Sequence, residues 1–519
     1  MAKPRRFKDP AEIVELIQDK LPALYFVFGR AKTEEMAFEV GKEWDFLYPD
    51  EKERVRKMIT DAEAEHPDMF VHRDRAMLKR LLMQGIGYHH AGLSPALKRI
   101  VERLYESRLI WVLFCTETFA AGVNFPASSA VFESCRKWDG REFRQLLNRE
   151  FFQMAGRAGR RGFDEQGHVY IQISAEHPDE TGFFKESEVE MVHGRLAVSA
   201  NTVLSLLMWK SDQEIDHFLK SNFSAFQKRR RLKDINRKIT KLHNKQQQLQ
   251  EHFCEEQQST SCPLIRKKLK RELHKLKSRK YRQMPGSQSR IAEIENTLSL
   301  LKKKKCKNVQ CFDAAREIKE INNRLELLHY KKKQMEYDAK QYTIDFQKMR
   351  TLLQRLGYVK ERELLPRGKF ALHLHVQEIF VTELVFSGLI EDLPADEVAG
   401  ILAGIDYVPG RREYIQIPPY DFDVVNKLRA ELMEMGVPQD YMVWSPVPGY
   451  LAYAWYNGKE FDHLLDNCSL QEGDVVSVIR REIDLLRQME KAAVDNPVLL
   501  EKLRGIRRTL DRDQVAVLF

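Results

Sequence analysis

The 519-residue sequence has no apolar run of about 18 residues, the length that a membrane-spanning helix requires. The candidate segment LIWVLFCTETFAAGVNF is interrupted by Glu117 and Asn124. The first residues, MAKPRRFKDP, contain no apolar core of a signal peptide. The seven cysteines are odd in number and widely scattered, which argues against a disulfide-stapled secreted domain. These absences predict a cytoplasmic protein that binds no membrane.

What the sequence does have is length and an uneven charge. A chain of 519 residues exceeds one hydrophobic core, so several domains are predicted. The net charge is +9, but residues 228–350 alone hold 34 Lys and Arg against 14 Asp and Glu. Lysine-rich helices often present only a solvated face. The one-sided sign of this segment instead favours contact with the phosphates of a nucleic acid.

Four short apolar runs in the first 175 residues are typical of parallel strands buried on both faces. These runs are ALYFVFG (23–29), LIWVLFC (109–115), SAVFESC (129–135) and HVYIQIS (168–174). Helical spacing over residues 94–108 and 141–156 separates them. The alternation predicts a three-layer α/β domain with one mostly parallel sheet.

Helical patterns dominate the rest of the chain. Residues 181–227 predict a small helical module. Over residues 228–350, Leu and Ile recur at helical intervals and predict antiparallel helices in a coiled-coil arm, with a turn at QMPGSQS (283–289). Amphipathic patterns over residues 351–519 predict a compact all-α domain.

The string QMAGRAGRRGFDEQG (153–167) carries two arginines three residues apart, Arg157 and Arg160, each preceded by a glycine. This spacing predicts both guanidinium groups on one helical face. The planar fork of an arginine suits the spread negative charge of a phosphate in transfer. The alternative is a simple basic loop.

A second motif, TET (116–118), follows the apolar run that ends in LFC, and Gly122 comes shortly after it. Ligands bind at the carboxyl ends of strands in open α/β sheets. Hydroxyl groups and a close glycine backbone suit a phosphodiester, although a helix cap followed by a turn gives the same pattern.

A third motif, GIGYHHAGLSP (85–95), contains His89 and His90 side by side. Adjacent residues of a strand point to opposite faces, so these two cannot easily chelate one metal. Packing in the core or in the turn is predicted for both.

The order of these motifs closely resembles the second RecA-like lobe of superfamily-two DExH-box RNA helicases of the superkiller and exosome-associated type. The resemblance rests on three stretches in this order: YFVFGRAKTEEMA, then YHHAGLSP with TETFAAGVNFPA, and then QMAGRAGRRGFDEQG. NTVLSLL and FLKSNFSAFQ are similar to that family's winged-helix segment, and GDVVSVIRREIDLLRQMEKAA to its C-terminal helical domain. The resulting domains are a RecA-like lobe (1–180), a winged-helix-like segment (181–227), a basic coiled-coil arm (228–350) and a C-terminal helical domain (351–519).

The resemblance implies roles for individual residues. The residues implied to contact ATP are Gln153, Gly122, Asn124, Arg157 and Arg160, the two arginines being catalytic and reaching the γ-phosphate. The residues implied to contact the RNA backbone are Arg30, Gly92, Thr116 and Thr118. Gly29 stands where relatives usually have serine, a departure within the first motif of the lobe.

An ATPase of this class also needs a phosphate loop, G-x-x-x-x-G-K-[ST], and an acidic D-E-x-H motif that holds Mg²⁺. Neither string occurs in the 519 residues. We therefore expect this chain alone to be inactive, with a first RecA-like lobe supplied by another chain or by a segment outside the sequence.

Four cysteines lie in the predicted arm as C-x7-C and C-x4-C: Cys254, Cys262, Cys306 and Cys311. Structural zinc sites prefer C-x2–4-C, so only the second pair fits. Zinc is one hypothesis for them, and unligated thiols are the other.

The sequence thus favours the carboxyl-terminal portion of an ATP-dependent RNA helicase, with ATP and Mg²⁺ as cofactors and RNA and an RNA-degrading nuclease complex as partners. The alternative is a non-catalytic RNA-binding scaffold with a helicase shape. A DNA helicase is a third reading, which the C-terminal helical domain disfavours.

Overall fold

The apolar runs of the first 175 residues form a single parallel sheet. The computed structural model describes residues 9–67, 69–70, 73–120, 127–160, 162, 164–173, 184, 190–253, 262–278, 286–300, 309–411 and 413–516. The elements up to residue 171 are α1 (Pro10–Leu16), β1 (Ala23–Phe26), α2 (Arg30–Glu43), α3 (Pro49–Glu65), α4 (Arg73–Leu82), β2 (Ile86–His89), α5 (Pro95–Glu106), β3 (Val112–Cys115), β4 (Ser129–Phe132), β5 (Arg136–Trp138), β6 (Phe143–Gln145), α6 (Asn148–Ala155) and β7 (His168–Ile171).

The sheet has five strands in the order β2-β3-β1-β4-β7, and every neighbouring pair is parallel. In the central register, Leu24 of β1 lies opposite Leu113 of β3 and Ala130 of β4. Strands β1 to β4 are buried along their whole length, as helices on both faces of a parallel sheet require. The predicted mostly parallel α/β lobe is confirmed.

The structure adds one strand to the four apolar runs and corrects one predicted helix. Strand β2 lies at one edge of the sheet, and no apolar run marks it because Gly87 and His89 interrupt the pattern. The helix predicted over residues 141–156 is wrong in its first part. There β5 and β6 pair as an antiparallel hairpin around Gly140, whose φ is +100°, and the helix begins only at Asn148.

The elements from residue 200 to 355 are α7 (Ala200–Trp209), α8 (Asp212–Ser221), α9 (Phe223–Gln250), α10 (Pro263–Lys277), α11 (Ser287–Leu300) and α12 (Val309–Arg355). The remaining elements are β8 (Val359–Lys360), β9 (Glu363–Leu364), α13 (Pro366–Ala371), α14 (Glu378–Phe386), α15 (Leu389–Asp392), α16 (Ala395–Ala403), α17 (Asp423–Glu434), α18 (Gly449–Tyr456), α19 (Phe461–Asp466), α20 (Glu472–Ala492) and α21 (Pro497–Leu510). The chain is therefore mostly helical after the lobe, as predicted. None of the helices in the described ranges is long and apolar enough to cross a membrane.

The chain divides into two compact units. The first unit, which we call the body, comprises residues 1–192, 200–208 and 351–519. The second unit, which we call the arm, comprises residues 193–199 and 209–350. The RecA-like lobe and the C-terminal helical region thus belong to the same unit.

Within the arm, α9 and α12 run antiparallel. Ser224 pairs with Tyr342 at one end, and Gln246 pairs with Asn322 further along. Between these points Ile239 packs with Ile321 and Leu325, with further leucine and isoleucine side chains around them. The predicted antiparallel helices are therefore present, although the supercoiled geometry of a true coiled coil stays a prediction. A helix boundary also lies at the predicted turn, where Gly286 precedes α11.

We expect that Phe114→Ala lowers the free energy of unfolding of the lobe by about 3–5 kcal/mol, since Phe114 is fully buried and stacks on Tyr25 between strands. Native-state hydrogen exchange of the amides of β1 and β3 measures this loss. Phe143→Ala, at a side chain that is 65% exposed on the hairpin, is the control and should change the same amides by less than about 0.5 kcal/mol. Equal effects of the two substitutions would contradict the assignment of Phe114 to the core.

Candidate functional site

The residues predicted to bind ligands fall into two groups in the lobe. Arg30, Gly92 and Thr116 follow β1, β2 and β3, at the edge where these strands end. Arg157 and Arg160 lie at the other edge, where β4 and β7 begin, because Ala158 bridges to Ala127 just before β4. The structure therefore does not gather all the predicted residues into one pocket.

The loop that carries Arg157 and Arg160 is not helical, so the prediction of one shared helical face is wrong. Helix α6 ends at Ala155 with Gly156 as its cap, and Gly159 adopts a φ of +95° that favours glycine. The backbone N–H of Gly159 then donates to the Ala127 carbonyl oxygen at 2.7 Å. The loop is fixed to the beginning of β4 instead of continuing the helix.

Arg160 is held by Asp164, a residue that the sequence analysis did not single out. Its Nε and Nη2 donate to the two carboxylate oxygens at 2.8 Å each, and its backbone N–H donates to the same carboxylate at 2.8 Å. The Ser128 hydroxyl donates a fourth bond at 3.1 Å. The Arg160 hydrogen bond is the largest influence and holds the pKa of Asp164 well below its ordinary value. The plane of the Arg160 guanidinium is thereby fixed.

Arg157 is anchored differently, through the backbone. Its Nε donates to the carbonyl oxygen of Ala120 at 3.1 Å, and its Nη2 donates to the same oxygen. Gln153 lies on the last turn of α6 with an exposed side chain. Gly122 and Asn124 lie outside the described residues, so their predicted roles stay predictions. Two guanidinium groups and an amide on this edge could together bind a phosphate group.

The predicted RNA contacts Arg30 and Gly92 lie against the start of α20, far away in sequence. Arg30 Nη1 lies 2.5 Å from Asp474 Oδ2 and 3.2 Å from Gln471 Oε1. The N–H of Gly473 donates to the Gly92 carbonyl oxygen at 2.9 Å. We call this contact, Gly92 with residues 471–474, the junction.

The backbone leaves no room for a side chain at Gly473, whereas one at Gly92 would have to displace the flexible end of the Gln471 side chain. A Cβ at Gly92 would lie 1.7 Å from the Gln471 side-chain oxygen, and one at Gly473 would lie 2.1 Å from the Ala91 carbonyl oxygen. The two backbones are therefore in direct contact. A phosphate that reached Gly92 would have to share this space with Gln471.

Arg75 strengthens the junction from α4. Its side chain is only 8% exposed, and it bonds to Glu472 and, at 3.4 Å, to Asp462. Burial raises the pKa of Glu472, and the charge of Arg75 opposes this shift. A buried ion pair of this kind is costly to break because the remaining charge stays without a partner. Arg75 has no sequence signal, since nothing local marks a partner almost 400 residues later.

Of the threonines after β3, Thr118 is exposed and Thr116 is half-buried. Thr116 and Thr118 form a hydrogen bond between their hydroxyl groups at 2.9 Å, and the Thr116 N–H donates to the His89 carbonyl oxygen at 3.2 Å. Their hydroxyl groups could both reach a phosphodiester.

His89 and His90 are buried, as predicted. His89 Nε2 lies 2.9 Å from Glu102, and His90 Nε2 lies 2.9 Å from Glu34. The Gly92 N–H donates to His90 Nδ1 at 3.2 Å, so His90 carries its proton on Nε2 and donates it to Glu34. His90 thus supports the turn from which the junction is built.

The hairpin is tied to α6 by a charge network that sequence reasoning also missed. Arg144 forms a fork with the Glu150 carboxylate at 2.8 and 2.9 Å, and Lys137 Nζ lies 2.9 Å from the same group. Burial would raise the pKa of Glu150, but the bonds from Arg144, from the Leu147 N–H and from Lys137 together lower it to about 2. Glu150 therefore stays ionised in the folded state.

Two of the four cysteines of the zinc hypothesis lie among the described residues. Cys262 and Cys311 are buried and form no disulfide. Cys254 and Cys306 lie outside the described residues. Among the residues that are described, no group of three or more Cys, His, Asp or Glu could hold a metal. Zinc in the arm stays a prediction.

Comparisons with known proteins agree with this geometry. Residues 50–162 match the helicase conserved C-terminal domain, and residues 361–517 match the DSHCT (NUC185) domain. The chain is 35% identical over 249 residues to the DExH-box ATP-dependent RNA helicase DExH10 of Arabidopsis thaliana, which covers 45% of this chain and 24% of that protein. It is 31% identical over 273 residues to the exosome RNA helicase MTR4 of Homo sapiens, covering 51% of this chain and 25% of the relative. It is 34% identical over 214 residues to superkiller complex protein 2 of Mus musculus, a match that covers 41% of this chain and 17% of that protein.

The parallel lobe, its arginine loop and the helical region behind it define the class: this is a carboxyl-terminal helicase portion, a RecA-like lobe joined to a DSHCT domain. These matches support the carboxyl-terminal portion of a superfamily-two DExH-box helicase of the superkiller and exosome-associated type. The chain spans about a quarter or less of the length of the relatives named above.

We expect Gly473→Ala to destabilise the junction by about 1–3 kcal/mol, because the added methyl group meets backbone atoms that cannot move aside. Hydrogen exchange of the first-turn amides of α20 measures the loss. Gly505→Ala is the matched control, a helical glycine in α21 with open space around it. That control should be neutral or more stable by up to about 1 kcal/mol, since alanine favours a helix. Similar behaviour of the two variants would contradict the close approach.

The Glu150 network predicts a pH dependence. Because its pKa falls from 4.5 to about 2 on folding, the carboxylate stabilises the fold above about pH 4.5, and this contribution is lost as the pH falls towards 2. The difference in melting temperature between the wild type and Glu150→Gln should therefore be largest near neutral pH and shrink below pH 4.5. Glu142→Gln, on the exposed hairpin tip, should show no such trend. A Glu150→Gln difference that is constant from pH 7 to pH 3 would contradict the network.

Proposed function

We propose that this chain is the carboxyl-terminal portion of an ATP-dependent RNA helicase. In this proposal a first RecA-like lobe, outside the 519 residues, binds ATP and Mg²⁺ through its phosphate loop and acidic motif. The present chain completes the nucleotide site with Arg157 and Arg160 and holds the RNA.

The observation that carries the proposal is the fixed arginine loop. Arg160 is oriented by Asp164, and Arg157 is oriented by the Ala120 carbonyl oxygen, so neither guanidinium has to be ordered when a nucleotide arrives. Preorganised cations of this kind stabilise the charge of a γ-phosphate in transfer. The two arginines suit the γ-phosphate end of ATP. The sequence holds no phosphate loop that could bind the rest of the nucleotide.

The two threonines after β3 and the basic arm support RNA as the substrate. Thr116 and Thr118 present hydroxyl groups after β3, and the relatives are named as RNA helicases. The charge excess over residues 228–350 would add phosphate contacts that do not depend on sequence. We also propose that the protein is cytoplasmic and that an RNA-degrading nuclease complex is its partner.

One observation favours the alternative, a non-catalytic RNA-binding scaffold. Both arginines already have partners within the protein, so a nucleotide must share them. Titration of the chain with a fluorescent ATP analogue, with and without a first-lobe polypeptide from a relative, separates the two functions. A scaffold would show RNA binding in both cases and nucleotide binding in neither.

We expect no RNA-stimulated ATP hydrolysis by the 519-residue chain alone and measurable hydrolysis once the first-lobe polypeptide is added. Arg160→Ala should then reduce kcat by about 10³-fold or more, the usual effect of removing an arginine finger. Arg508→Ala, on the surface of α21, is the control and should leave the rate unchanged. A steady-state phosphate-release assay measures the rates of the wild type, Arg160→Ala and Arg508→Ala.

Robust hydrolysis by the chain alone that Arg160→Ala abolishes would overturn the requirement for a first lobe. Reconstituted activity that is insensitive to Arg160→Ala would overturn the role of the arginine loop.

A further inference from the structure

The arm helix α12 carries a second stripe that does not face α9. Leu327, Tyr330 and Tyr337 are 54%, 61% and 62% exposed. Their spacing of three and seven residues places them on one face of the helix, while Ile321 and Leu325 occupy the buried face. We call Leu327, Tyr330 and Tyr337 the tyrosine stripe.

The rings of the stripe are open to solvent on a rigid support. Gln334 donates a hydrogen bond to the Tyr330 hydroxyl oxygen at 2.9 Å, which restrains that ring on the helix surface. Seven residues of α-helix separate the two tyrosines, a distance of about 10.5 Å along the axis. Two aromatic faces are therefore presented at a fixed interval.

Lysines lie between and beside the tyrosines. Lys331, Lys333 and Lys340 are exposed, and none of them forms an ion pair with any residue in the described ranges. Lys332, by contrast, lies 3.8 Å from Glu336 and is partly neutralised. The stripe thus combines apolar ring faces with cations that have no carboxylate partner there.

The charge decides between possible occupants of this surface. A second copy of α12 would bring its own lysines against Lys331, Lys333 and Lys340, and the like charges would repel. A single-stranded nucleic acid satisfies both features, since its bases stack on aromatic rings and its phosphates pair with lysine. Base stacking on Tyr and phosphate pairing with Lys need no particular sequence.

We propose that the tyrosine stripe with Lys331, Lys333 and Lys340 is a binding surface for single-stranded RNA, in which Tyr330 and Tyr337 each stack one base. The choice of RNA rests on the proposed function. The stacking surface lies in the arm and is independent of the nucleotide site, so the two can fail separately.

The test uses the full chain and a fluorescently labelled 20-nucleotide oligouridine, with affinity measured by anisotropy at several salt concentrations. The double substitution Tyr330→Ala and Tyr337→Ala should weaken binding by about 25-fold or more, or about five-fold for each lost stack. The double substitution of the same residues to Phe should stay within about two-fold of the wild type, because phenylalanine keeps the ring. Tyr414→Ala, at a tyrosine that is 63% exposed in the body, is the matched control and should not change the affinity.

Salt dependence separates stacking from phosphate contact. The alanine double variant should keep the slope of log Kd against log salt concentration. Lys331→Gln, Lys333→Gln and Lys340→Gln together should reduce the slope by about 2, the value for three phosphate contacts on a single strand. Circular dichroism at 222 nm should be unchanged in all variants.

Wild-type affinity in the alanine double variant would overturn the stacking surface and leave the arm as a purely electrostatic one. Weak binding by the Phe double variant would also overturn it, since the hydroxyl groups and not the ring faces would then make the contact. A change in oligomeric state in the alanine variant, seen by light scattering without any loss of RNA affinity, would assign the stripe to a second copy instead. In each case the ATPase test of the arginine loop is unaffected.

Discussion

The start of α20 meets the turn after β2 so closely that Gly473 cannot carry a side chain, because a Cβ there would lie 2.1 Å from the Ala91 carbonyl oxygen. Contact between two backbones fixes position more strictly than contact between flexible side chains, because no rotamer change can absorb a shift. The ion pair of buried Arg75 with Glu472, the residue before Gly473, holds the start of α20 in the same position. The helical region behind the lobe therefore takes its place from this junction. The turn after β2 is in consequence a structural surface as well as the predicted RNA contact.

The arginine loop depends on a different kind of constraint. Gly159 turns the chain away from the helix, and the strand-like bond to Ala127 holds it there. After this turn, Asp164 accepts hydrogen bonds from both Nε and Nη2 of Arg160. The glycines of the motif are thus needed for the path of the backbone, and the acid at the end of the motif orients the cation. This division of roles is why the motif is a contiguous string in the sequence.

How much the sequence could predict depended on how local each signal was. The strands β1, β3 and β4 were predicted because continuous apolar runs mark strands that are buried on both faces. The run of β7 predicted a strand but not its exposure, since β7 lies at an edge of the sheet and Val169 is 41% exposed. No apolar run marks β2, because Gly87 and His89 interrupt its pattern. The arginine loop was found because its residues are adjacent, but its conformation was not, since a spacing of three is compatible with both a helix and a turn. Arg75 could not have been predicted, because its partner Glu472 lies 397 residues away and only the folded chain brings the two together.

The cations predicted to meet phosphate in the body and the exposed lysines beside the tyrosine stripe differ in their partners. In the body, two of the three arginines predicted to meet phosphate are paired with a carboxylate, Arg160 with Asp164 and Arg30 with Asp474. The third, Arg157, donates to the Ala120 carbonyl oxygen. A phosphate there must share or replace an existing partner, which favours ligands that arrive in one geometry. Lys331, Lys333 and Lys340 of α12 have no such carboxylate among the described residues. Phosphate contacts by lysines of this kind are strong at low salt and do not depend on sequence. Affinity and geometric selectivity are thus expected from different parts of the chain: the arm would retain an RNA strand, and the body would accept phosphates only where its own ion pairs allow.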